Sequence, residues 1–245
     1  MSSPLEQFKI HTIVPIHIGG VDLSFTNSSL WMTVAVAVAS LFLTLGARRR
    51  ALVPGRWQVM AELSYEFIAN MIRDNVGDAG RRYFPYIFTL FMFVLFGNLL
   101  GLIPGSFTFT SHIIVTLALA LTVFVAVTII GFAKHGLHFF SFFVPSGVPA
   151  LMMPLMIPIE IISYLSRPVS LSIRLFANMM AGHTMMKVFA GFVVPLGAAT
   201  FGIGGLAPIA MDVALTGFEL LVAFLQAYVF TVLTCLYLND ALHLH

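Results

Sequence analysis

Charge is scarce in this sequence. Only 9% of its 245 residues are Asp, Glu, Lys or Arg, against 59% hydrophobic residues, whereas soluble domains carry about 25% charged residues. That deficit excludes an ordinary soluble domain and points to an integral membrane protein. Cysteine is nearly absent: Cys235 stands alone in an apolar run, which rules out a disulfide framework and a Cys-based metal site. The eight histidines are scattered along the chain, without the clustered ligands at one depth that a membrane metalloenzyme needs. No metal or cofactor is expected. A formal net charge of +2, with basic residues in short clusters beside apolar segments, gives no case for nucleic acid. The N-terminus lacks a charged region followed by a continuous apolar core, so it does not read as a cleaved signal peptide. Internal repeats and paired broken helices are missing too, which weighs against a secondary transporter or free-standing channel, the runner-up reading.

What the sequence has in quantity is apolar runs of about 18 to 20 residues, the length that crosses a hydrocarbon core of about 30 Å as a helix. The fold class follows: all-α, a single polytopic membrane domain over 1–245, with five membrane-embedded helices plus one amphipathic surface helix. Residues 1–29 form an external N-terminal segment and 30–47 a first span, ending at Arg48, Arg49 and Arg50. The positive-inside rule puts that cluster in the cytoplasm and the N-terminus outside. Residues 57–76 show apolar positions at helical spacing interrupted by Glu62, Glu66, Arg73 and Asp74, the pattern of a helix lying on the cytoplasmic surface. A second span over 84–103 stops at the turn-forming Pro104-Gly105. A third covers 112–134 and meets Lys134 on the basic side, and 135–158 reads as an interfacial re-entry loop. The run over 155–194 is about twice as long as a straight crossing needs. It must tilt strongly or break near Pro168, where the missing N–H frees the Tyr164 carbonyl. A Gly/Pro-rich turn over 195–208 separates it from a last helix over 209–238, and the tail ends on the cytoplasmic side.

These last two helices contain Glu160, Arg167, Arg174, His183, Lys187, Asp212 and Glu219, each costing roughly 2.5 to 3.5 kcal/mol if it faced lipid. At 100° per residue, Glu160, Tyr164, Arg167, Leu171, Arg174 and Asn178 fall near one stripe, and His183 lies opposite Arg174. Folding the two helices into an antiparallel hairpin puts residues equidistant from the turn side by side. His183 and Glu219 share the midpoint 201, while Arg174 and Gln226 share 200. Two polar layers result, about 10 to 13 Å apart along the helices. The imidazole and carboxylate can pass a proton at physiological pH. Arg174 cannot be deprotonated, so it attracts a carboxylate without carrying a proton onward and acts as an electrostatic gate. Glu160 lies toward the cytoplasm, where it can line a separate way out. Lys187, Asp212 and Arg167 read as interface or loop-facing charges.

Residues 160–183, EIISYLSRPVSLSIRLFANMMAGH, resemble the signature of subunit a of F-type ATP synthases, with the arginine at Arg174. NLLGLIPGSFTFTSH (98–112), FFVPSGVP (142–149) and FELLVAFLQAYVFTVLTCLYL (218–238) are similar to that family as well. The N-terminal SPLEQFKIHTIVPI and TNSSLWM resemble alphaproteobacterial and mitochondrial members, so the likeness covers nearly the whole chain. It implies a non-catalytic stator subunit of the membrane sector, coupling proton flow to ATP synthesis. Its two long helices lie against a ring of small c-type proteolipids, each with one buried carboxylate. Peripheral-stalk b-type subunits are the other implied partners, in a bacterial inner membrane rather than a mitochondrial one. By the same resemblance Arg174 separates two half-channels. Asn178, His183, Glu219 and Gln226 line the inlet, and Glu160 with Tyr164 lines the outlet. Some bacterial relatives carry the Glu and His in the reverse order, so this chain follows the His-then-Glu arrangement.

Overall fold

The computed structural model describes residues 8–18, 21–22, 24–48, 55–103, 105–144, 152–200 and 203–243. Six α-helices run in chain order: α1 Asn27–Ala47, α2 Arg56–Asn75, α3 Phe84–Gly101, α4 Ile113–His135, α5 Met153–Ala199 and α6 Leu206–Leu242. Among the described residues, five helical segments are long and apolar enough to cross a membrane: 27–47, 78–101, 113–143, 153–199 and 203–242. The helix that fails this test is α2, whose exposed Trp57, Leu63 and Tyr65 share its surface with Glu62, Glu66, Arg73 and Asp74. That is the amphipathic composition expected of a surface helix.

Several boundaries differ from the sequence reading. The N-terminal segment is not simply irregular: β1 (Thr12–Val14) pairs antiparallel with β4 (Phe25–Thr26), and β2 (His17–Ile18) with β3 (Val21–Asp22). The Thr26 hydroxyl accepts from the Ser29 amide at 3.4 Å, capping the start of α1. The stretch expected to be a loop over 135–158 is largely helical, with a 3-10 turn over Gly136–Phe143 and α5 already under way at Met153. Of the two expectations for this run, a strong tilt or a break near Pro168, the break does not occur, because α5 is one helix of 47 residues. Pro168 sits on the buried side, where packing offsets the roughly 3 kcal/mol that an interior proline costs. The hairpin turn is shorter than 195–208, since α5 reaches Ala199 and a 3-10 turn begins at Ile203. Arg49, Arg50, Pro104 and residues 145–149 of the FFVPSGVP segment lie outside the described residues.

The chain divides into two compact units. The first comprises 1–45, 92–112 and 175–228. Its core is built from Ala35, Val94, Phe109, Leu175, Met179, Ala223 and Ala227, all essentially inaccessible. Into this apolar frame it folds Asn98, Thr108, His183, Glu219 and Gln226, also buried. The Asn98 amide donates to the Ala223 carbonyl at 3.3 Å, joining α3 to α6.

The second unit comprises 46–91, 113–174 and 229–245. Its core includes Ile68, Ile72, Ile87, Phe91, Val123, Phe139, Leu171 and Phe230. Hydroxyl pairs join α4 to α5, with Thr116 Oγ1 3.0 Å from Ser172 Oγ and Thr128 Oγ1 2.7 Å from the Tyr164 hydroxyl. Lys134 Nζ donates to the Leu242 carbonyl at 2.8 Å, a cation placed on the C-terminal carbonyls of α6.

Candidate functional site

His183 and Glu219 reach each other because each sits on the buried line of its helix. Along α5 that line runs through Tyr164, Pro168, Leu171, Leu175, Met179 and His183. Steps of three and four residues keep these side chains on one face, with a slow angular drift. Along α6 it runs through Glu219, Ala223, Gln226 and Phe230. The hairpin register read from the sequence pairs 183 with 219, and His183 Nε2 lies 3.7 Å from Glu219 Oε1. Gly182 permits this closeness: a Cβ there would meet Glu219 Oε1 at 2.5 Å.

The carboxylate is 3% exposed, and among the described residues neither of its oxygens has a hydrogen-bond donor. Buried polar atoms are nearly always satisfied, so this one asks for an explanation. The imidazole is better supplied. Its Nε2 is 3.0 Å from Thr108 Oγ1, and that hydroxyl is also 3.1 Å from the Gly101 carbonyl. An open cavity of about 320 Å³ reaches His183. Its lining includes Ser106, His183, Lys187, Asp212 and Thr216. Water-sized species can therefore approach the imidazole from outside the packed helices.

The second unit holds the remaining polar side chains of α5 differently. Arg167 Nη1 is 2.9 Å from Asp240 Oδ2. Its guanidinium lies over the rings of Tyr237, Tyr164 and Phe142 at 5.0, 5.4 and 5.5 Å, a cation–π cage that keeps the charge in place. Tyr164 is buried among Phe124, Phe139, Phe142 and Phe143. Glu160, one turn earlier, is half-buried.

Arg174 and Asn178 face outward. They lie on the exposed side of α5 with Ile173, Ala177 and Ala181, one position before the buried Leu175 and Met179. The single stripe drawn from Glu160 to Asn178 is thus divided by burial, because four-residue steps carry the buried line away from an ideal straight axis. Arg174 is exposed and His183 is buried. Gln226 is buried on α6.

Two residues, Thr108 and Asp240, escaped the sequence reading, and two others, Arg167 and Asp212, have surroundings it did not give. Thr108 looked like one polar residue in a loop, and only the fold puts it on His183. Asp240 was assigned to a polar tail but lies within α6, paired with Arg167. Arg167, expected at an interface or facing a loop, has a side chain that is only 18% exposed and is held against Asp240. Asp212, expected as an interface or loop-facing charge, is half-buried on the cavity wall with Lys187. Helical spacing already puts Asp212 on one stripe of the last helix with Glu219, Ala223 and Gln226.

Comparison with known proteins bears on the family of this chain. The sequence profile described as ATP synthase A chain matches residues 29–239. ATP synthase subunit a of Paramagnetospirillum magneticum is 59% identical over 248 residues, with 100% of both chains covered. The subunit a proteins of Rhodospirillum rubrum and Rhizobium etli are 60% and 61% identical, covering 100% and 99% of this chain and 100% and 98% of their own. On both the profile match and the full-length identity, the chain belongs to the ATP synthase A chain family.

Proposed function

We propose that this chain is the stator subunit of the membrane sector of a rotary ATP synthase, without catalytic chemistry of its own. It leads protons to and from the carboxylates of a rotating c-type ring through two offset half-channels. The observation that carries this reading is Glu219: a buried carboxylate without hydrogen-bond donors among the described residues, 3.7 Å from a buried imidazole beside an open cavity. A structural carboxylate at that depth would be saturated with donors or neutralised by an ion pair. One that must take up and release protons keeps its oxygens available.

In this reading the inlet runs from the cavity to His183 and then Glu219, with Gln226 and Asn178 farther along. Arg174 presents a permanent cation on an exposed helix face, where an arriving ring carboxylate gives up its proton to the outlet and re-protonates from the inlet. Because a guanidinium does not release its own proton, it separates the two paths. Glu160 and Tyr164 line the outlet. The exposed face of α5 takes the ring, and b-type peripheral-stalk subunits hold the chain against rotor torque. The protein sits in the bacterial inner membrane with its N-terminus outside and its C-terminus in the cytoplasm, a reading the placement of the basic clusters supports.

The test is co-isolation with ATP-driven proton pumping. The chain should purify with a ring of small proteolipids and pump only as part of that complex. Proton-conducting vesicles made from this chain alone, without a ring, would contradict the stator reading in favour of a free-standing channel.

A further inference from the structure

Gly101 is the last residue of α3, and helix-terminal carbonyls lack an amide donor from the following turn. Two hydroxyls serve this one instead: Ser106 Oγ at 3.0 Å and Thr108 Oγ1 at 3.1 Å. A carbonyl oxygen only accepts, so the single Thr108 proton is committed to it. The remaining capacity of the Thr108 hydroxyl is as an acceptor, and the group beside it is His183 Nε2 at 3.0 Å. The nitrogen facing Thr108 must then carry a hydrogen. The same nitrogen is the one 3.7 Å from Glu219 Oε1.

We propose that Thr108 is a positioning residue for proton transfer: anchored on the Gly101 carbonyl, it accepts from His183 Nε2, holds the ring in the Nε2–H tautomer and keeps that nitrogen 3.7 Å from Glu219 Oε1. This rests on the inlet reading above. The neutral ring then has its lone pair on Nδ1, ready to take a proton delivered through the cavity. The imidazolium so formed passes its Nε2 proton to the Glu219 carboxylate, leaving a neutral carboxylic acid and a neutral ring protonated at Nδ1. In that state the lone pairs of Nε2 and Thr108 Oγ1 face each other, so the ring returns to Nε2–H by proton exchange with the cavity. The charged groups around this event are Glu219 and Asp212 on α6 and Lys187 on α5; none lies on the Thr108 segment itself. Thr108 and Gly101 are built to fit, because a Cβ on Gly101 would meet Thr108 Oγ1 at 2.8 Å.

The experiment uses the assembled complex in lipid, labelled with nitrogen-15 histidine, with His183→Ala to assign the ring signals. Thr108→Val should move the His183 signals from Nε2–H to a tautomer mixture. It should also lower passive proton conduction about tenfold and change its dependence on external pH; Thr108→Ser should restore all three. If Thr108→Val fails to assemble, Gly101→Ala displaces the same hydroxyl and must give the same tautomer shift. Unaltered His183 signals in either variant, or equal impairment by Val and Ser, would overturn the proposal. The inlet reading fails separately, if His183→Ala conducts like the unmodified complex; the nitrogen signals would still decide whether Thr108 sets the tautomer.

Discussion

The two units bury polar side chains in contrasting ways. In the second unit four side chains that join its elements meet a partner at bonding distance: Thr116 with Ser172, Thr128 with Tyr164, Lys134 with the Leu242 carbonyl and Arg167 with Asp240, although Gln58 Oε1, Tyr86 Oη and Ser141 Oγ are buried there without one among the described residues. In the first, His183 and Glu219 lie close but short of a hydrogen bond, and Glu219 has no donor among the described residues. The difference separates two uses of polarity inside an apolar protein. Saturated pairs hold helices together where hydrophobic attraction between them is weak. An unsaturated titratable pair is costly to keep, and the cost is explained by a proton that must come and go.

That contrast can be broken by exchanging the expected phenotypes. Glu219→Gln should lower proton-driven ATP synthesis by about a hundredfold, the scale of a lost proton-transfer group, while the complex assembles with unchanged thermal stability. Retained synthesis, or failed assembly, would move Glu219 into the class of structural pairs. Arg167→Met should do the reverse, lowering thermal stability through the uncompensated Asp240 charge by about 2 kcal/mol. Adding Asp240→Leu should recover most of that loss, and a double variant no more stable than the single would show that the pair is not the source. Gly182→Ala should reduce ATP synthesis severalfold with normal assembly, because its Cβ meets Glu219 Oε1 at 2.5 Å; an unaffected rate would mean the carboxylate has room to move. Thr116→Val should cost the least, about 0.6 kcal/mol, the average of interhelical hydrogen bonds in membranes. A drop of several kcal/mol on thermal unfolding would show that this hydroxyl pair does more than join α4 to α5.

Much of this was legible in the sequence because membranes impose simple periodicities. Span number, the amphipathic α2 and the pairing of His183 with Glu219 follow from run length, charge placement and equal distance from a turn. Helix ends were less legible: α5 and α6 extend to Ala199 and Leu242, since residues such as Gly197 and Asp240 that weaken a local helix signal are held by packing and an ion pair. Pro168 failed as a breaker for the same reason. Thr108 was illegible, because its role depends on a contact 75 positions away in the chain, and no periodicity within its own short segment encodes that. Asp240 was hidden by its place next to a polar tail, although the fold gives it a partner 73 positions earlier at Arg167.

Arg174 unites the account, since it is a permanent cation on the exposed side of a helix whose buried side carries the titratable His183. The most direct test is ATP-driven proton pumping by complexes carrying Arg174→Lys, which keeps the charge but loses the guanidinium's geometry and fixed protonation. The account predicts normal assembly with pumping reduced to background. Near-normal coupled pumping by that variant would contradict it.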